Sequence, residues 1–318
     1  MKMATKFTSI RSPVVAAAAV LVLPLLADAD SEARVIEAAR AGDRAAVNVL
    51  LDAGIDASAA TADGTTALHH AAHTDNVSMA SALLAGGARA DAANVYGVSP
   101  LTLACTNRSA AMVDALLAAG ADPDVAMWTG ETPLMTCART GATEAVAALL
   151  RAGADPNVRE ASKGQTALMW AAAGGTAELV QLLIEHGADI GKATTESADR
   201  VPNSCRICAW KPSPGGFTAL MFAARSGSVD TVRRLLAAGA DIDAATAEYG
   251  SPLVIAAASG HEDLALYLLE AGADATVADE NGVTALHYAL LNGLSTMHGI
   301  TYDPVYRVRP ENLSLIHI

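Results

Sequence analysis

The chain has 318 residues, of which 52% are apolar, 17% charged and 4% aromatic, and its net charge is −13. Alanine and leucine carry the apolar mass, which favours thin, closely packed helical layers over a thick sandwich or barrel. That hydropathy excludes intrinsic disorder, and the acidity argues against nucleic acid as a partner, because phosphate binding needs a basic face.

Chain order begins with a basic stretch, Lys2, Lys6 and Arg11, then the uncharged run VVAAAAVLVLPLLA from Val14 to Ala27 and the small-x-small site Ala27-Asp28-Ala29. This order predicts a secretory signal peptide over 1–29, cleaved after Ala29. The apolar run is short for a bilayer span and Pro24 interrupts it, which sets this reading above an uncleaved membrane anchor. No cysteine follows it to accept a lipid. Loss of 1–29 removes three basic residues and one acidic one, leaving an acidic chain that does not insert stably in membranes or favour anionic surfaces.

Residues 32–60 carry Val35, Ile36, Gly42, Leu50-Leu51 and Gly54, a helix-turn-helix pattern with no loop before it. A cap with a solvated outer face is expected there. Short blocks then recur: Thr66-Ala67-Leu68, Ser99-Pro100-Leu101, Thr132-Pro133-Leu134, Thr166-Ala167-Leu168, Thr218-Ala219-Leu220, Ser251-Pro252-Leu253 and Thr284-Ala285-Leu286. Their spacings are 33, 33, 34, 52, 33 and 33 residues. A Gly-Ala-Asp block keeps the same beat, as at Gly120 and Gly153, with leucine pairs such as Leu149-Leu150 before it. Thr or Ser caps a first helix, and Pro or Ala suits its first position. Small residues then let neighbours approach, and glycines such as Gly141 and Gly227 end the helix by accepting positive φ. A second helix with a Val/Leu face follows, then a projecting loop.

The period and the Thr-x-Leu-His-x-Ala blocks at Thr66–Ala71 and Thr284–Ala289 resemble the ankyrin repeat. The resemblance covers about residues 33–300 and implies an all-α solenoid of about seven to eight helix-turn-helix units with β-hairpin-like projecting loops, occupying 30–312. It also implies that His69 and His287 tie loops together by hydrogen bonds rather than act in catalysis.

Two departures stand out. The 52-residue spacing carries extra sequence, TTESADRVPNSCRICAWKPSPGG, whose Pro202, Pro212, Pro214 and paired glycines predict a long inserted loop over 195–215. Cys205 and Cys208 lie in it. Ala209 stands where a haem-attachment motif needs His, and no second Cys-x-x-Cys exists for a closed zinc site. A local disulfide bracing the loop, unpaired thiols, and redox or metal chemistry remain open for this pair. Cys105 and Cys137 fall at small-residue positions, where buried free thiols are expected to pack like apolar residues. The second departure is the last unit, which opens at Asn281-Gly282-Val283-Thr284 but lacks the second-helix signature. The final residues 313–318, LSLIHI, resemble a translated sequencing adapter, so a non-native tail replacing further repeats is expected.

No Gly-x-Ser-x-Gly, Walker phosphate loop or His-Glu-x-x-His occurs, so no active site, cofactor or metal site is assigned. The resemblance implies a binding scaffold for another protein, and it makes the exposed loop tips the contacting positions. Tyr96, Trp128 and Tyr249 fall at those tips. Trp170, Phe222 and Tyr288 share one first-helix position near the inner face, where packing between repeats is the competing role. Arg139 and Arg225 occupy matching positions and could anchor a partner. An exported protein with such a loop resembles bacterial members, which implies the periplasm or the extracellular space. The alternatives are thiol chemistry at Cys205 and Cys208, or an accessory role in a longer protein whose activity lies further along the chain.

Overall fold

In the computed structural model, the protein is described over residues 29–195 and 215–298. Residues 1–28 of the expected signal segment, Cys205, Cys208 and the tail at 313–318 lie outside the described residues. Among those that are described, fifteen helices and no strand occur, so the fold is all-α. In chain order they are α1 Ala29–Arg40, α2 Arg44–Asp52, α3 Ala67–His73, α4 Val77–Ala85, α5 Pro100–Thr106, α6 Ala110–Ala118, α7 Pro133–Thr140, α8 Thr143–Arg151, α9 Ala167–Ala173, α10 Ala177–Glu185, α11 Ala219–Ser226, α12 Val229–Ala237, α13 Pro252–Ala258, α14 Glu262–Glu270 and α15 Ala285–His298. Odd helices pack against odd neighbours and even against even, and each pair also packs on itself. The result is two helical layers running the length of the stack.

The start signals act as expected at α3, α5, α7 and α11. Thr66, Ser99, Thr132 and Thr218 each accept a hydrogen bond from the backbone N–H three residues on. Thr166 and Ser251 hold the same position without that bond, and their hydroxyls are buried and unpartnered. Pro100, Pro133 and Pro252 open their helices, where no N–H is needed. Gly141 and Gly227 end α7 and α11 at φ 73° and 77°, a left-handed conformation that costs glycine no Cβ clash.

A continuous core runs from Val35 to Ala273. Leu83, Leu116, Leu149, Leu183, Leu235 and Leu268 give at least one fully buried leucine to each even helix from α4 to α14. Each is worth about 1.5–3 kcal/mol of burial. Opposite them, Ala71, Ala104, Ala171, Ala223 and Ala256 are also fully buried. Alanine there sets a close helix spacing and leaves no room for aromatic rings, which is why so few occur.

One expectation is corrected. Cys105 and Cys137 are not free thiols: they form a disulfide between α5 and α7. Both residues face the seam between stacked odd helices and are fully buried. Their separation of 32 residues, one short of the repeat, puts their Cα atoms 4.6 Å apart, within the range a disulfide spans.

The long spacing does not interrupt the stack. The chain leaves the described residues after Thr195 and resumes at Gly215, yet α9 packs directly on α11. The two ends are fastened side by side. Thr194 N–H donates to Phe217 O at 2.9 Å and Gly216 N–H to Thr194 O at 2.8 Å. At the far end α15 runs for 14 residues, twice the length of α13. There Leu266 and Leu269 of α14 and Leu286 and Leu290 of α15 are exposed.

Candidate partner-binding surface

The loops between helix pairs are built by side chains that hold their own backbone N–H groups. Asp63 accepts from Thr65 N–H, and Asn94 from Tyr96 and Val98 N–H, both at 3.0 Å. Glu160 accepts from the N–H groups of Ser162, Lys163 and Gln165 and from the Ser162 hydroxyl. Burial pushes the Glu160 carboxyl upward, but these four donors outweigh it and hold it below the usual carboxylate range. Asp279 repeats the device with Asn281 and Val283 N–H.

Neighbouring loops are then joined tip to tip. Val95 N–H donates to Asp63 O at 2.9 Å, Trp128 N–H to Tyr96 O at 3.2 Å, Ala161 N–H to Thr129 O at 2.8 Å and Thr195 N–H to Lys163 O at 2.8 Å. The bonds leave little space between tips. Gly97 sits at φ 75°, and a Cβ there would lie 2.7 Å from Met127 Cα, so both conformation and room demand glycine. His69 adds a buried tie. Its Nδ1 accepts from Thr66 N–H at 3.1 Å, so its proton is on Nε2, which donates to Val98 O at 3.0 Å. This is the loop-tying role the resemblance implied.

On this bonded edge Tyr96 is 58% and Trp128 78% exposed. Adjacent tips thus present two large, mostly exposed rings. Tyr249 is also exposed in its loop, but its ring has neighbours. It meets Phe217 edge-to-face at 5.1 Å, and Phe217 meets Phe222 at 5.3 Å. These rings wall a hollow of about 760 Å³ over α11, α13 and α15.

The first-helix residues line the adjoining face of the odd layer. Trp170 is half-buried, with its indole N–H unpartnered and the Arg139 guanidinium 5.8 Å from its ring. Arg139 also donates to Glu131 at 2.9 Å. Phe222 is buried and carries Arg225 at 5.1 Å. Tyr288 is half-buried and donates its hydroxyl to Asp279 at 2.7 Å. The structure therefore gathers Phe222, Arg225, Tyr249 and Tyr288 into the hollow and sets Tyr96 and Trp128 apart on the loop edge. Sequence reasoning left Phe217, Lys163 and Asp279 unassigned. Phe217 alone carried a signal, an aromatic directly before the Thr218 cap. Among the described residues no group of three His, Cys, Asp or Glu could hold a metal ion, and no helix is long and apolar enough to cross a membrane.

A family model described as ankyrin repeats, in three copies, matches residues 35–127, 124–194, 203–279 and 220–298. No curated protein matches the chain. The matched segments span well over half of the sequence and coincide with the stacked helix pairs and their tied loops, so the chain belongs to the ankyrin-repeat family.

Proposed function

We propose that the protein is an exported, non-enzymatic scaffold that binds another protein through its loop tips and the adjoining concave face of the odd helices. One observation carries this reading. Tyr96 and Trp128 stand exposed on tips that hydrogen bonds have already fixed. Rigid Tyr and Trp bury large area at small entropic cost, which is how interface hot spots work. The family membership points the same way. The finer architecture is seven to eight units with β-hairpin-like loops, which the isolated bridges Ala60–Thr66, Thr246–Gly250 and Ala278–Thr284 support. The reading includes an inserted loop over 195–215, and the backbone bonds between Thr194 and Phe217 and between Gly216 and Thr194 that join its two ends support it. Export to the periplasm or beyond is supported by the N-terminal pattern and by the Cys105–Cys137 disulfide, because such bonds persist in oxidising compartments. The partner covers an area in the standard range of about 1,200–2,000 Å².

Site-specific photo-crosslinking in the native host tests this. A photoreactive residue at 96 or 128 should give one discrete protein adduct, and one at Glu144, exposed on the even layer, should give none. Equal adducts from both faces, or none from the loop edge, would overturn the reading.

A further inference from the structure

Arg225 and Arg139 are the same device in two states. Each is the seventh residue of its odd helix, exposed, with its guanidinium against an aromatic ring. Arg139 lies over Trp170 and donates from its edge to Glu131 at 2.9 Å. Arg225 lies 5.1 Å from the centre of Phe222 and 5.7 Å from that of Phe217. Phe217 occupies, one residue before the cap Thr218, the place that Glu131 holds before Thr132. The residue that supplies a carboxylate to Arg139 has become a ring at Arg225, and none of the ion pairs among the described residues includes Arg225. Stacking covers the faces of a guanidinium but leaves its N–H edge open, and that edge matches a carboxylate.

The surroundings narrow the ligand. Arg225 opens into the hollow of about 760 Å³ walled by Phe217, Phe222, Tyr249 and Ile255. Lys163 is a second exposed cation on the wall. Asp279, also on the wall, is turned to its own loop by Asn281 and Val283 N–H and the Tyr288 hydroxyl. Glu248 also lines it. Acids and cations on the lining are equal in number, so the hollow is not a cationic cluster, and the N–H edge of Arg225 is the place where one carboxylate fits. A phosphate dianion is disfavoured by that balance and by the acidic chain as a whole. The hollow crosses α11, α13 and α15, about 16–20 Å at ordinary helix spacing, which an extended segment covers in about five or six residues.

We propose that this hollow takes an Asp or Glu side chain from an extended segment of a partner protein. The carboxylate sits in the Arg225 fork, and a flanking apolar side chain rests on the half-buried ring of Phe217. This rests on the scaffold reading and adds the chemistry of the partner. Random dodecapeptides displayed on phage, panned against the full chain, test it. The selected pool should be enriched in Asp or Glu flanked by Leu, Ile or Phe. Replacing that acid by its amide in a selected synthetic peptide should weaken binding at least tenfold on the natural chain and less than twofold on Arg225→Met. Phe217→Glu, which restores the internal carboxylate seen at Glu131, should also weaken the acidic peptide at least tenfold. Melting curves identify any variant that has lost its fold, and the amide comparison on the natural chain needs no variant. Basic or uncharged pools, equal binding of acid and amide peptides, or no enriched pool would each overturn the assignment. Crosslinking from positions 96 and 128 would still judge the scaffold reading separately.

Discussion

Two ring nitrogens of His69 hold two loops together, and the bond to Thr66 exists only while the ring is neutral. Burial lowers the His69 pKa, and the Val98 carbonyl offsets part of that shift. Its contribution is therefore complete above the ordinary histidine value of about 6.5 and is lost as pH falls below it toward the folded value. Glu160 titrates in a lower window, because its donors hold its pKa below the ordinary carboxylate value and its contribution is lost only as pH falls through that range. Urea midpoints should thus be flat above about pH 7 and decline from about pH 6.5 downward. In His69→Gln the decline below about pH 6.5 should be shallower, the remainder coming from His70, whose pKa burial also lowers. An unchanged slope would show that His69 is not the responsive group. The sequence marked His69 through its place in the repeat. The carboxylates at 160 and 279 carried no such mark, because nothing local says which acid will turn back onto its own loop.

Helices were the most legible element, since a hydroxyl cap, a small-residue seam and a terminal glycine all announce them. Leu149 follows from that pattern and is fully buried. Leu149→Ala should cost about 2–5 kcal/mol in chemical denaturation, and a loss below about half a kcal/mol would mean that it packs no core. The disulfide was harder to see. Its two cysteines sit in different helices, and only the seam geometry shows that a spacing of 32 residues brings them together. The signal was present in that near-repeat separation, but small buried residues occur at every equivalent position. Closing a loop of this size stabilises by about 2–4 kcal/mol. Cys105→Ala with Cys137→Ala should lower stability by that amount and remove the response to reductant. A double variant as stable as the parent, or one that still responds to reductant, would contradict the bond. Helix α15 was not foreseen at its full length. The periodicity gave its start at Thr284 and put Gly293 where Gly141 and Gly227 stop α7 and α11, yet the helix runs through that glycine to His298.

For the molecule as a whole, stability is spread along the stack because each pair contacts only its neighbours. Function gathers where those contacts leave a side uncovered. The layer order was readable from the period alone. The division of the aromatic residues was not, because it depends on which rings meet across loops. Tyr249 turns to Phe217, whereas Trp128 meets no ring among the described residues. That difference makes Trp128 the sharpest probe of the account, in which a pre-bonded loop edge, not the core, carries recognition. The direct measurement is the dissociation constant of the crosslinked partner for Trp128→Ala, beside the melting curve of the variant. The account predicts binding weaker by about 2 kcal/mol or more with an unchanged melting curve. Lost folding with unchanged affinity per folded molecule would place Trp128 in the core and contradict it.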